Sequence, residues 1–262
     1  MSSPHPLRGK PLVEVIFECR WRLEESGGIQ GLKRDPNYKF LLGILFDVVK
    51  GDYPEHEELP STTIPDEMVP HIVQHRFRAR KGGWPLLQLG PGILTVNDTE
   101  NYEWDTFERI ANKAISDLIK SHPAGERLLF ESLSLRFLNA IALDFEKTSV
   151  LEFLDQMMRT NLLVPEEILN DSQIDRRPKS VNSEIVFPAK SPAGSLALAF
   201  RTGLKNREKV LVLDLSITSS GPEVPESPDN FGTWLADAHL LIERTFFELI
   251  KGELERRFSG GA

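Results

Sequence analysis

Lys81–Asp98 reads KGGWPLLQLGPGILTVND, an apolar run interrupted at its centre by Gly90-Pro91-Gly92. Two readings compete for it: a ligand-cradling glycine loop and a bend in a sheet. A phosphate loop needs consecutive free N–H groups at a helix start, and its Walker form adds Gly-Lys-Ser/Thr. Pro91 has no N–H, an apolar strand-like run follows it, and no lysine is close by. Glycines within strands instead mark bulges, sharp coiling or close backbone approach. Trp84–Asn97 is therefore expected to be a strand bent at Gly90 and Gly92, the alternative being a backbone wall for a ligand or partner peptide. His71–Arg80 (HIVQHRFRAR) reads as a preceding strand, joined by a tight turn at Lys81-Gly82-Gly83.

Working outward, Pro11–Trp21 sets Val13, Val15, Phe17, Cys19 and Trp21 against Glu14, Glu18 and Arg20, the period of a half-buried strand. Ser26–Asn37 is a loop by its glycines and its Asp-Pro pair. Tyr38–Lys50 has Leu41, Leu42, Leu45, Phe46, Val48 and Val49 at helical spacing. Asp52–Pro70, rich in Pro and Glu, is expected to be an exposed connection. Tyr102–Ser121 is a helix, with Asn101 and Asp98 as candidate caps.

The second half repeats this order. Arg127–Asp144 is a long strand, Thr148–Thr160 an amphipathic helix capped by Thr148 or Ser149, and Pro165–Leu169 a short helix. Strands follow at Glu184–Pro188, Ser195–Thr202 and Lys209–Thr218, then one long helix at Phe231–Phe258 stopped by Ser259-Gly260-Gly261. Both closing helices carry a tryptophan early, Trp104 and Trp234, and Leu-Ile-Lys late, at Leu118–Lys120 and Leu249–Lys251. The expectation is an α+β fold of two similar strand-helix-strands-helix halves, 1–125 and 126–262. Their sheets should be largely antiparallel and share one core or a close interface, with a long C-terminal helix.

PLVEVIFECRW at Pro11–Trp21, HRFRARKGGWPLLQLGPGILTVND at His75–Asp98, YEW at Tyr102–Trp104, LRFLNAIALD at Leu135–Asp144 and DAHLLIERTFFELI at Asp237–Ile250 together resemble a sporadically distributed family of uncharacterised bacterial proteins. That resemblance carries no established activity and hence no catalytic residue. The order of elements is also similar to that of two-repeat folds such as the TATA-binding protein, an analogy of fold and not of function.

Composition bounds the function. A chain of 262 residues with 40% apolar residues can bury a sizeable core. Its longest apolar run, FLLGILF at Phe40–Phe46, is far short of the ~18 residues that cross a bilayer, and the amino terminus lacks a signal-peptide core. A soluble cytoplasmic protein, not membrane-bound, is expected. The single cysteine, Cys19, excludes an internal disulfide and a Cys-based zinc site. A net charge of -8 disfavours broad nucleic-acid affinity.

Several residues are candidate binding groups. Arg76, Arg78 and Arg80 alternate with His75, Phe77 and Ala79, so three guanidinium groups should line one strand face, either as a solvated face neutralised by nearby acids or as an anion-contact row. Arg136 and Asn139 sit mid-strand, as a structural network or as polar specificity groups of a pocket. Leu241, Phe247 and Phe258 fall partly outside the apolar stripe of the last helix and are candidate interface residues. His71 and His75 lie about 13 Å apart if on a strand and lack the glutamate of H-E-x-x-H; His56 sits in an acidic run, EHEE. No metal or cofactor is expected from these. There is no G-x-S-x-G elbow, and Gly194-Ser195 opens a strand. The function expected is a non-catalytic binding or adaptor protein with a protein partner or a second copy of itself. The alternatives are a nucleic-acid-associated regulator using the arginine row and an enzyme of unrecognised type.

Overall fold

The structure, a computed structural model, describes residues 9–25, 31–99, 102–171 and 173–260. The chain runs β1 (Leu12–Trp21), β2 (Glu24–Glu25), β3 (Lys33–Arg34), α1 (Tyr38–Val49), β4 (Glu55–Glu58), β5 (His75–Arg78), β6 (Leu86–Gly90), β7 (Ile93–Asp98) and α2 (Trp104–Ser121). It continues through β8 (Phe130–Ala142), α3 (Val150–Met157), α4 (Glu166–Leu169), β9 (Asn182–Lys190), β10 (Ala193–Lys205), β11 (Glu208–Ser220), α5 (Phe231–Ile250) and α6 (Glu253–Ser259). The fold is α+β.

Nine strands form one antiparallel sheet in the order β4-β5-β6-β7-β1-β8-β11-β10-β9, while β2 and β3 make a separate pair. Outward from the β1–β8 pair, one flank runs β7, β6, β5, β4 and the other β11, β10, β9. Side chains alternate across a strand, so the registers assign each residue a face. Val15, Phe17 and Cys19 stand opposite Phe137, Leu135 and Leu133, and Phe137 and Leu135 stand opposite Leu215 and Ile217. These belong to a single hydrophobic cluster drawn from both halves of the chain, closed by Leu41 and Leu45 of α1, Phe107 and Leu118 of α2, Leu154 of α3, and Trp234, Leu235 and Ile242 of α5. Every strand residue in that cluster lies on this one face.

Trp84–Asn97 is a hairpin rather than one bent strand. Pro91 and Gly92 sit between the paired Gly90 and Ile93, with Gly92 at φ 76°, the proline-then-glycine pattern of a type II turn. Asp52–Pro70 is more than a connection, because β4 pairs along β5 with Glu57 opposite Arg76. The closing helix breaks at Lys251-Gly252, where Gly252 takes φ 115°, a conformation that glycine adopts cheaply. Ser149 caps α3, accepting the Leu151 N–H. Glu103, not Asp98, precedes α2, without a side-chain cap; Asn101 lies outside the described residues, as do positions 26–30 of the expected loop. No helix among the described residues is long and apolar enough to cross a membrane.

Candidate functional site

The face of the sheet turned away from the helices contributes nothing to the hydrophobic cluster. The registers lay out two rows across it. One runs Arg76, Gln88, Thr95, Glu18, Ser134, Thr218, Ser195, and its neighbour runs Arg78, Leu86, Asn97, Ile16, Arg136, Ser216, Ala197. Polar side chains here follow from the strand period: each apolar residue sent to the core leaves its neighbours on this side.

A hydrogen-bonded network spans the β5–β7–β1 side. Arg76 Nε donates to Gln88 Oε1 (3.0 Å), and Gln88 Nε2 donates to Thr95 Oγ1 and Asn97 Oδ1, both at 3.1 Å. Thr95 Oγ1 donates to Asn97 Oδ1 (2.8 Å), and Asn97 Nδ2 donates to Glu14 Oε1 (2.8 Å). Gln88, Thr95 and Asn97 are buried, where an unpaired polar group costs about 1–3 kcal/mol, so the chain of bonds is what makes their burial tolerable.

A second network spans β8–β11–β10. Asp214, buried, accepts from Arg136 Nε (2.8 Å) and Nη2 (2.6 Å) in a two-pronged contact and also from Arg201 Nη1, while Arg201 Nη2 donates to Glu184 Oε1 (3.0 Å). Its hydrogen bonds to Asp214 hold the Arg136 guanidinium above its ordinary pKa. Between the networks Arg20 Nε lies 2.6 Å from Glu18 Oε1, an ion pair off the N–H axis, and Ser134 and Thr218 share a hydroxyl hydrogen bond of 3.0 Å. Arg76 and Arg78 both reach Glu57 Oε2, at 3.4 and 3.3 Å, and the Arg78 bond holds the Glu57 carboxyl below its ordinary range. Guanidinium groups do not exchange protons at neutral pH, so the arginine ends of these pairs are fixed positive charges.

The structure places Arg76, Arg78 and Arg136 on this face. Arg80 falls beyond the end of β5, in the bend that follows Arg78, so the three arginines of the β5 region do not form one row. Asn139 lies on the opposite side of the sheet from Arg136, buried against the helices, with Nδ2 donating to the Leu213 carbonyl (3.4 Å). The two do not line a common pocket. The space beside Gly90 and Gly92 is filled by the chain itself: a Cβ on Gly90 would meet the Ile72–Val73 backbone, and one on Gly92 would meet Leu23 and the His71 ring. Phe258 belongs to the hydrophobic cluster, and Leu241 and Phe247 pack against it partly buried, so these three form no common outward face.

Sequence reasoning missed Asp214, whose signal was one acid inside the run VLVLDLSI, and the Gln88–Thr95–Asn97 chain, whose signal was polar residues at alternate positions of an apolar hairpin. His56, expected in its acidic run, lies within β4 and stacks on His75 instead of on carboxylates, with Nε2 and Nδ1 3.0 Å apart. His71 points elsewhere, its Nε2 3.3 Å from the Trp21 carbonyl. Among the described residues, no group of three or more His, Cys, Asp or Glu is placed to hold a metal ion. Compared with protein-family models and with curated protein sequences, the chain has no match.

Proposed function

We propose that this chain is a non-catalytic binding protein, an adaptor that receives a protein partner on the helix-free face of its sheet. One observation carries the reading: each of Arg20, Arg76, Arg78, Arg136 and Arg201 on that face already has a carboxylate of the same chain as its partner. Affinity for a phosphate backbone comes from cations that replace its counterions, and guanidinium groups neutralised in place have little to offer it. Paired charges around a floor of small side chains, Ser134, Thr218, Ser195 and Ala197, fit the polar rim and closely approached centre of a protein interface. The net charge of -8 supports the same preference.

The reading extends to a bacterial cytoplasmic protein, supported by the buried free thiol of Cys19, and to an origin by internal duplication, supported by the matching strand order on either side of β1–β8. On this reading 1–125 and 126–262 are the two repeats.

The test fills the floor. Ser134→Trp and Ala197→Trp place a large side chain on it without touching the core. Wild type is expected to capture a discrete protein from host extract, and both variants are expected to lose it while melting as wild type does. Capture that survives both substitutions would refute the assignment. So would submicromolar binding to DNA or RNA at an ionic strength of roughly 0.15 M.

A further inference from the structure

Strand β9 ends the sheet on its side, and among the described residues no strand pairs with its outer edge. The sheet's other edge is β4, which is only Glu55–Glu58 (EHEE), and a short, charged edge strand is one that other chains pair with poorly. Three large apolar side chains of β9 are left uncovered: Val186 (57% exposed) toward the helix-free face, and Ile185 (43%) and Phe187 (46%) toward the helix side. Asp237 of α5 accepts a hydrogen bond from Ser191, next to the β9–β10 turn, and Leu240, one helical turn further and 59% exposed, shares that flank.

The direction of the edge groups follows from one bond. Thr202 N donates to the Val181 carbonyl (2.9 Å), so Val181 faces β10. By alternation Ser183, Ile185, Phe187 and Ala189 also bond inward, while Glu184, Val186, Pro188 and Lys190 aim their N–H and C=O outward. Pro188 thus turns its donorless nitrogen to the edge, and the ladder to β10 loses nothing.

We propose that β9 is a self-association edge: two copies pair these strands antiparallel about a two-fold axis at Phe187, which joins their sheets into one. In that register Glu184 of each copy stands opposite Lys190 of the other. Ile185 faces Ala189, Val186 faces Pro188, and Phe187 faces its own counterpart, so charge meets opposite charge and apolar meets apolar at every position. Glu184 and Lys190 exchange both backbone bonds, and the Val186 N–H donates to the Pro188 carbonyl; the sole donor lacking is that of Pro188. Moving the axis to Val186 sets Glu184 against Pro188 and Lys190 against Asn182, which discards both charge pairs. A second copy is therefore the occupant that satisfies this edge, and the helix-free faces of the two copies become continuous.

Sedimentation velocity and cross-linking test it. Wild type is expected to sediment as a concentration-dependent dimer, and Val186→Lys as a monomer with an unchanged melting temperature. Glu184→Lys should break the dimer, and adding Lys190→Glu should restore it. These two positions are six residues apart on one extended strand, so the rescue requires a second chain. Phe187→Cys should form a disulfide between copies, because a non-hydrogen-bonded antiparallel pair sets Cα atoms about 4.5 Å apart, within the roughly 4.4–6.8 Å that a disulfide spans. Ala189→Cys, opposite Ile185, should not. A wild-type monomer at every concentration, a dimer indifferent to Val186→Lys, or a charge swap that fails to restore the dimer would each overturn the proposal.

Discussion

Replacing Gly90 by alanine adds one carbon where the chain's own backbone already stands. Built on Gly90, that carbon falls inside contact with the Ile72 carbonyl oxygen, 2.7 Å from the Ile72 carbonyl carbon and 2.9 Å from Val73 Cα. None of these is the end of a flexible side chain, so relief requires lifting residues 71–74 away from β6. Two backbone bonds hold that segment, Gln74 N to Leu89 O (2.9 Å) and His71 N to Pro91 O (2.8 Å). Losing both costs about 1 kcal/mol each, and the overpacking adds about 1–3 kcal/mol, so destabilisation of about 3–5 kcal/mol is expected. For a chain of this size each kcal/mol lowers Tm by about 2–4 °C, which sets a fall of about 6–20 °C. Gly92→Ala should cost less, because its φ of 76° carries about 1–2 kcal/mol of strain but the Leu23 and His71 side chains beside it can turn aside. Gly82→Ala, at φ 69° with nothing within 4 Å, should show the strain alone. Calorimetric melts of the three variants should rank Gly90, Gly92, Gly82 in falling severity. A Gly90→Ala protein that melts within about 2 °C of wild type would refute the close-approach reasoning.

Asp214→Asn leaves Arg136 and Arg201 sharing a neutral amide, and urea unfolding should show a loss of about 1–3 kcal/mol; a loss under about 0.5 kcal/mol would mean that solvent already screens the network. Burial holds the His239 imidazole, stacked on Trp104, down at about 4 from its ordinary 6.5. The unfolded chain takes up that proton near pH 6.5 and the folded chain only near pH 4, so stability is full above the window and falls through it by up to about 3 kcal/mol. Glu243, whose carboxyl burial pushes up, works in the opposite sense, so the measurement compares urea midpoints of wild type and His239→Gln at pH 7 and pH 4.5. An unchanged pH slope in the variant would refute the assignment. Burial also pushes the Cys19 thiol well up, so a thiol reagent should label it only after unfolding, and rapid labelling of the native protein would contradict its place in the core.

The two-residue alternation in Pro11–Trp21 and Arg127–Asp144 was legible because those strands put one face against helices and leave the other to polar residues, as Phe17 beside Glu18 and Leu135 beside Arg136 show. The stripes of α2 and α5 were legible for the same reason. In β6 and β7 that contrast fails, since every residue from Leu86 to Gly90 and from Ile93 to Asp98 is buried. Periodicity there cannot separate one strand from two, and the turn at Pro91-Gly92 passed for a bend.

Local patterning thus determined the strands and helices that set one apolar side against the core, such as β1, β8 and α2, because side-chain period is a property of consecutive residues. The partners were decided by tertiary structure alone. Arg136 meets Asp214 and Arg201 across three strands, and Glu14 completes a chain of bonds that begins at Arg76 on the far side of a hairpin. Those pairings depend on the order of strands in the sheet, which follows from how the helices close over one shared core and leaves no mark at any fixed spacing along the chain. The outer edge of β9 is the plainest case: its own residues read as an ordinary strand, and Val186 is a surface because, among the described residues, the sheet ends at that strand.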